Sequence, residues 1–218
     1  MASRIRSVTT SIDVVCEDER LGVEGLLGTL EVRSLGENNV RNALAACTVG
    51  LCLGLSFDVI CEGLRHFDGV ERRLEVRGES KEITVAEDYA HHPTEIQSTL
   101  EAIRWMEPNR VVCVFQPHLY SRTKFFYAEF SDILSEFDLA IVTDIYPSRE
   151  EALPGVDSGL IVDHARASGA DHVSLVSDMN GVANALIPQL EAGDVVLVLG
   201  AGDVNRIVPS LLDGLADV

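Results

Sequence analysis

Residues 87–95 are dense in side chains that bind ligands or move protons. The segment reads Glu-Asp-Tyr-Ala-His-His-Pro-Thr-Glu, and its candidate site residues are Asp88, Tyr89, His91 and His92. An imidazole changes its charge near neutral pH, and a nearby carboxylate can accept its proton or orient the ring. A strand–helix loop with a capping aspartate and solvated histidines is the competing interpretation. The density of donors and acceptors favours a functional role.

A second polar segment, residues 117–123, contains His118, Tyr120 and Arg122. The guanidinium of Arg122 offers a planar pair of N–H donors that suits a carboxylate or a phosphate. His118 can hydrogen-bond a ligand or shuttle a proton. A polar loop with a surface ion pair explains the same residues, so both interpretations stay open for this segment.

The histidines also permit a metal-dependent hydrolase. His91, His92, His118 and Asp88 are residue types that bind zinc. Side chains of adjacent residues point in different directions on most backbones, which disfavours one ion held by His91 and His92 together. We therefore expect no metal site in this chain.

Two further segments have a functional and a plain interpretation. Residues 70–75, Val-Glu-Arg-Arg-Leu-Glu, are a charged linker or place an arginine near a phosphate. Residues 200–203, Gly-Ala-Gly-Asp, bind an anion at a helix start or only form a tight turn. The sequence contains neither Gly-x-x-x-x-Gly-Lys-Ser/Thr nor Gly-x-Ser-x-Gly, so it has no phosphate-binding loop of that type and no serine-hydrolase elbow.

The elements that must position these residues alternate between strand and helix from about residue 74. Strands are predicted at 83–87, 110–116, 139–143, 172–176 and 194–199, and helices at 93–106, 124–136, 158–168, 179–190 and 203–213. This alternation predicts an α/β fold with a doubly wound, mostly parallel sheet. Ligands of such sheets bind beyond the carboxyl ends of the strands. We expect one crevice there to gather the polar segments that follow four of the strands, at residues 88–92, 117–123, 144–146 and 200–203.

The first third of the sequence has a different pattern. Residues 4–16 and 24–34 are β-rich and are joined by Arg20-Leu21-Gly22, which predicts a β-hairpin. Helices are predicted from Asn38 or Asn39, as the N-cap, to about 53, and over 56–66.

Composition limits the compartment and the partners. The 218 residues carry a formal charge of −18, which disfavours nucleic acid and anionic membranes as partners. No run of about 18 apolar residues predicts a membrane span, and residues 1–6 do not resemble a signal peptide. Five cysteines without Cys-x-x-Cys spacing fit free thiols in a reducing compartment, which indicates the cytoplasm. No pattern indicates an oligomeric state.

Five motifs resemble, in the same order, those of the muramyl (Mur) ligase family. They lie at residues 36–46, 67–75, 88–95, 115–123 and 199–203. The first is similar to the family's Gly-x-His-Asn-x-x-Asn-x-x-Ala-Ala, with Asn38 in place of histidine. The second is similar to Phe-x-Gly-Val-x-Arg-Arg-Phe-Glu, with Leu74 in place of phenylalanine. The third and fourth look like the signature of the L-alanine-adding members.

The resemblance implies an ATP-dependent ligase of three domains. ATP would phosphorylate the muramoyl carboxylate of UDP-N-acetylmuramate, and the amine of L-alanine would attack the acyl phosphate. Residues 1–71 would be the end of the central ATPase domain, with a β-hairpin and two helices, and residues 72–218 the carboxy-terminal Rossmann-like domain. ATP and Mg²⁺ would be held mainly by parts of such enzymes that these residues do not include. The isolated chain is therefore expected to be inactive.

The resemblance also implies roles for single residues, none of them catalytic. Asn39 and Asn42 would contact adenine, Arg73 would face the phosphates, and Asp88 would bind the ribose. The residues that would line the pocket for L-alanine and the muramoyl end are Tyr89, His91, His118 and Arg122. A stand-alone module that binds a nucleotide or a cell-wall precursor without chemistry remains the alternative.

Overall fold

The computed structural model describes residues 9–18, 20 and 23–217. The chain divides into two compact units. Among the described residues, the amino-terminal unit ends at Glu71 and the carboxy-terminal unit begins at Arg72. The predicted strand residues 4–8 and the connecting residues 21 and 22 lie outside the described part of the chain.

The amino-terminal unit is a β-hairpin covered by two helices. Its elements are β1 (Thr10–Cys16), β2 (Gly25–Val32), α1 (Glu37–Cys52) and α2 (Phe57–Arg65). The two strands are antiparallel, as the sequence predicts, with a bulge at Val14/Val15. Apolar side chains from both strands and both helices, such as Leu30 and Cys47, form its core.

The N-cap of α1 differs from the prediction. Gly36 is the cap residue, in a left-handed conformation with φ 87°, and Asn38 and Asn39 lie inside the first turn. Only glycine adopts this φ without strain, so the chain turns into the helix two residues before the first asparagine. The side-chain amide of Asn39 instead donates a hydrogen bond to the carbonyl of Leu35, at 2.7 Å.

The carboxy-terminal unit is a six-stranded sheet between two layers of helices. Its strands are β3 (Glu75–Ser80), β4 (Ile83–Asp88), β5 (Arg110–Phe115), β6 (Leu139–Val142), β7 (Val173–Leu175) and β8 (Asp194–Leu199). Its helices are α3 (Pro93–Arg104), α4 (Tyr120–Leu134), α5 (Gly159–Ala167), α6 (Met179–Leu186) and α7 (Ile207–Asp217). The order in the sheet is β3-β4-β8-β5-β6-β7, with only β3 antiparallel to its neighbour. The doubly wound, mostly parallel sheet is therefore confirmed.

The direction of each crossover decides which face its helix covers. Strands β4 to β7 advance across the sheet, and α3, α4 and α5 pack on one face. The connection from β7 to β8 runs back, and α6 lies on the other face together with α7. One hand for all crossovers requires this arrangement. Because both faces are covered, β5 and β8 are apolar and buried along nearly their whole length.

Four further local features differ from the sequence prediction. The edge strand β3 was not predicted, because its residues Glu-Val-Arg-Gly-Glu-Ser are polar and its turn, Lys81-Glu82, takes φ values of 51° and 63° without the usual Asn-Gly. Helix α4 begins at Tyr120 rather than 124, and α7 begins at Ile207, after a 3₁₀ turn at Val204–Arg206. Helix α6 ends at Leu186 because Pro188 lacks the N–H that would continue it.

No helix in the described ranges combines the length and the apolar character needed to cross a membrane.

The two phenylalanines Phe130 and Phe125 on α4 give a matched test of the core. The ring of Phe130 is buried 5.0 Å from that of Phe115, whereas Phe125 is 74% exposed. We expect Phe130→Ala to lower the unfolding free energy by about 3–5 kcal/mol and Phe125→Ala by less than about 0.5 kcal/mol. Urea titration followed by the emission of Trp105, the single tryptophan, measures both. Equal losses in the two variants would contradict the packing.

Candidate functional site

The carboxyl ends of four strands meet at one edge of the sheet. The amide of Gly200 donates to the carbonyl of Asp88 at 3.2 Å, and that of Gln116 to the carbonyl of Leu199 at 2.9 Å. The amide of Tyr146 donates to the carbonyl of Pro117 at 2.8 Å. The segments that follow β4, β5, β6 and β8 therefore lie side by side. This confirms the prediction that the polar segments converge.

The carboxylate of Asp88 is the internal anchor of this edge. One oxygen accepts from the amide of Ala90 at 2.7 Å, and the other accepts from the amide of Leu74 at 2.8 Å. Asp88 is only 8% exposed. Desolvation raises the pKa of its carboxyl, while the two backbone N–H donors and the nearby Arg73 act in the opposite direction. Asp88 thus fixes the turn before β3 against the loop after β4.

Tyr89 and His91 lie beside this anchor with defined orientations. The guanidinium groups of Arg72 and Arg73 lie 5.0 Å and 5.5 Å from the centre of the Tyr89 ring. Nδ1 of His91 is 2.8 Å from the carbonyl oxygen of Tyr89. Because a carbonyl only accepts, Nδ1 carries the proton in that bond. In the neutral ring, Nε2 of His91 is then the nitrogen that can accept a proton from a ligand.

His118 continues the row of rings. Its centroid is 5.8 Å from that of His91, and it stacks on Tyr146 at 5.7 Å with an angle of 15°. Its Nδ1 is buried without a hydrogen-bond partner among the described residues. Burial, Arg122 and His91 lower the pKa of His118, and Glu150 opposes them. The ring is therefore held in its neutral form to lower pH than an ordinary histidine.

Arg122 reaches the same place from the first turn of α4. Its Nη1 lies 3.4 Å from the carbonyl oxygen of His91, a long hydrogen bond. Its other N–H donors have no partner among the residues that the structure describes. The structure therefore brings together the four predicted substrate residues, which lie in one connected group.

Glu150 caps α4 from a distant loop, which the sequence analysis did not predict. Leu119 precedes α4 with φ 74° and makes no side-chain cap. Instead Glu150 accepts from the amide of Ser121 at 2.9 Å and from its hydroxyl. These bonds hold the loop after β6 against the start of the helix that carries Arg122. Contacts 29 residues apart in sequence give no local signal.

His92 points away from this group. It is the N-cap of α3, its Nδ1 accepts from the amide of Thr94 at 3.3 Å, and its ring packs 4.8 Å from that of Phe126. Glu95 completes the capping box. His91 and His92 are thus turned apart, as their adjacency predicts. In the part of the chain that the structure describes, no three histidine, cysteine or acidic residues are placed to hold a metal.

The glycines at residues 200 and 202 are explained by internal packing. Gly200 has φ 151°, and a Cβ on Gly202 would lie 2.6 Å from Cγ of Tyr146. The amide of Gln116, buried under this loop, donates to Asp203 at 3.0 Å and accepts from the amide of Val204 at 3.1 Å. Gln116 is a positioning residue that belongs to the motif at residues 115–123 but has no role predicted from the sequence. Its place directly after a buried strand was the available signal.

The predicted nucleotide residues lie in both units. Arg73 is exposed, and Asp88 is at the strand end described above. Asn39 and Asn42 are on α1 at i and i+3, which places them on one face of the helix. Asn42 is exposed, whereas the amide of Asn39 is bonded to Leu35. Their contact with adenine stays a prediction.

The chain is similar in sequence to a known family of proteins. The family model described as "Mur ligase, glutamate ligase domain" matches residues 72–202. The UDP-N-acetylmuramate–L-alanine ligase of Acaryochloris marina is 46% identical over 194 residues, which are 85% of this chain and 40% of the relative. That of Salinibacter ruber is 45% identical over 93% of this chain and 42% of the relative. The chain thus spans about two fifths of these relatives' length.

A solved structure gives the same result. The crystal structure of UDP-N-acetylmuramate-alanine ligase from Thermotoga maritima superposes with a TM-score of 0.71 at 26% identity. The match covers 85% of this chain and 39% of that one. The α/β architecture inferred from the alternation of strands and helices is thus found in a solved structure.

Two substitutions near His118 should shift its pKa in opposite directions, and together they test its environment. We expect its pKa, measured by NMR titration of the ring protons, to lie below the ordinary value of about 6.5. Arg122→Gln removes a cation and should raise it, and Glu150→Gln removes an anion and should lower it further. Because the folded-state pKa is depressed, this histidine contributes stability above about pH 6.5 that is lost as the pH falls through the folded pKa. A pKa at or above 6.5, or two shifts of the same sign, would contradict this environment.

Proposed function

The chain belongs to the Mur ligase family, and we propose that it forms the part of an ATP-dependent ligase that binds L-alanine and the muramoyl end of UDP-N-acetylmuramate. The observation that carries the proposal is the connected group of Tyr89, His91, His118 and Arg122 at the sheet edge. Relatives 46% and 45% identical bear the name UDP-N-acetylmuramate–L-alanine ligase, which supports this substrate pair.

The group offers what a small amino acid requires. Arg122 has free N–H donors for a carboxylate, in the fork geometry that pairs two oxygens. Nε2 of His91 and the neutral ring of His118 can accept hydrogen bonds from an ammonium or an amine without adding positive charge. A neutral imidazole beside the amine can accept the proton that the amine loses as the amide bond forms.

The donor set beside Tyr89 fits the phosphate and ribose end of a nucleotide. Arg73 is exposed and makes no side-chain hydrogen bond within the described ranges, so its guanidinium is free for a phosphate oxygen. Each carboxylate oxygen of Asp88 accepts one backbone N–H and keeps a second lone pair for a hydroxyl. Asn39 and Asn42 are proposed for adenine. Bound ATP would supply the phosphoryl group that activates the muramoyl carboxylate, with Mg²⁺ as its counter-ion.

The parts of the proposal that concern the whole enzyme follow from family membership. We propose that residues 1–71 are the end of the central ATPase domain and that residues 72–218 are the carboxy-terminal domain. The five cysteines are free thiols, four of them buried, which supports the cytoplasm as the compartment. The sequence carries no Gly-x-x-x-x-Gly-Lys-Ser/Thr loop, and we propose that the isolated chain does not split ATP.

A binding module without chemistry is the competing function, and turnover in two settings separates the two. The isolated chain, given ATP, UDP-N-acetylmuramate and L-alanine, should release no ADP above background. A chimera in which residues 9–217 replace the matching part of the Acaryochloris marina relative should release ADP only when L-alanine is present. Release by the isolated chain overturns the proposed inactivity, and a folded but inactive chimera favours the module.

Arg122→Lys in the chimera tests the role of the pocket. We expect KM for L-alanine to rise about tenfold or more, because an ammonium cannot make the two parallel bonds of a guanidinium. Arg104→Lys is the matched control, since Arg104 pairs with Glu136 at the end of α3 on the opposite edge of the sheet. Equal KM values in the two variants would remove Arg122 from the pocket.

A further inference from the structure

We propose that Arg72 is a positioning residue that links the loop at residues 200–203 to Tyr89. Through its contact with that loop, Tyr146 is held in place against His118. The inference rests on the proposed function in one respect only, which is that the row of rings of Tyr89, His91, His118 and Tyr146 faces the substrate. The sequence motif pairs Arg72 with Arg73, and the roles implied by the family resemblance include only Arg73. The structure separates the two arginines by what their side chains contact.

The guanidinium of Arg72 bonds to a loop far away in sequence. Its Nη2 donates to the carbonyl of Gly200 at 2.6 Å and to the carbonyl of Gly202 at 3.1 Å. The loop turns at Gly200, where φ is 151°. A cationic donor makes stronger bonds to carbonyls than a neutral one does. Arg72 therefore holds both ends of the turn with one planar group.

The same guanidinium covers the ring of Tyr89, with 5.0 Å between Cζ and the ring centre. Its backbone is fixed as well, because the carbonyl of Arg72 accepts from the amide of Tyr89 at 2.7 Å and its amide donates to Glu75 at 2.9 Å. Arg72 has φ 59°, a conformation that a non-glycine residue keeps only when its surroundings enforce it. The side chain is thus aimed by a rigid turn.

The loop passes this constraint on to the predicted substrate residues. Gly202 lies against Tyr146 so closely that a Cβ would come within 2.6 Å of Cγ. Tyr146 in turn stacks on His118, whose ring is next to that of His91. The ring of His91 packs against that of Tyr89, which lies under the guanidinium of Arg72. The chain of contacts therefore begins and ends at Arg72.

Charge and burial explain why the residue is an arginine. Nε of Arg72 is buried, and within the described part of the chain it has no acceptor. The nearby carboxyl of Glu87 is 1% exposed. Burial has the largest effect on its pKa and raises it, while the positive charges of Arg77 and Arg72 act in the opposite direction. A lysine ammonium ends one bond short of the position of Nη2, and it has no planar group that could cover the ring of Tyr89 while the two carbonyls are bonded.

Arg73 provides the matched control, since it is exposed and lies over the same ring at 5.5 Å but bonds to neither carbonyl. The experiment compares Arg72→Lys and Arg73→Lys in the 218-residue chain without ligand. Amide hydrogen exchange of Gly200 and Val204 reports the loop, and the ring-proton shifts of His118 report its stacking on Tyr146. Exchange at Val114 reports the core.

Arg72→Lys should speed exchange at Gly200 and Val204 about tenfold or more, because two bonds to a charged donor are lost, and should move the His118 ring shifts. Arg73→Lys should change neither. Gly202→Ala, with Arg72 intact, should move the His118 shifts by displacing Tyr146. Loop exchange or His118 shifts that are alike in the two lysine variants, or faster exchange that extends equally to Val114, would overturn the proposal. No substrate is used in this experiment, so such a failure would not contradict the proposed function, which the ADP-release and KM measurements test separately.

Discussion

The buried carboxylate of Asp88 is the constraint from which the geometry of the site follows. It accepts backbone N–H groups from Leu74 on one side and Ala90 on the other, while its own carbonyl receives the amide of Gly200. Burial of the charge alone would be unfavourable, and the raised pKa reflects this cost. Two oriented backbone donors offset part of the cost, and they do so only if the turn before β3 and the loop after β4 are in place.

The positions of the arginines follow from that constraint. The turn that Asp88 holds contains Arg72 and Leu74, both in the left-handed region, with φ 59° and 48°. Such residues persist where hydrogen bonds fix the backbone. The fixed turn directs Arg72 to the carbonyls of Gly200 and Gly202 and places Arg73 outside, beside Tyr89. One carboxylate thus orients a partly buried arginine for structure and an exposed one for the proposed phosphate contact.

The sequence predicts the features that depend on local pattern. Continuous apolar runs such as residues 111–115 identify the buried strands, and the rule for strand ends brings His91 and His118 together. Features that depend on distant partners escape it. Strand β3 is polar and ends in a Lys81-Glu82 turn, and the cap that Glu150 supplies to α4 comes from another loop. The position of Gln116 after a strand is readable, but its bonds to Asp203 and Val204 are not.

Replacement of Asp88 by asparagine tests this account most directly. An amide has one acceptor oxygen, so Asp88→Asn leaves one of the two backbone N–H groups facing an NH₂ donor. We expect the free energy of unfolding, measured by urea titration, to fall by about 2 kcal/mol. Asp138→Asn is the control, because the Asp138 carboxylate accepts from one amide within the described residues, that of Val111, and an asparagine can still present an oxygen to it. The control should change by less than about 0.5 kcal/mol. An Asp88→Asn chain as stable as the wild type, or more stable, would show that burial of the charge outweighs its bonds and would contradict the account.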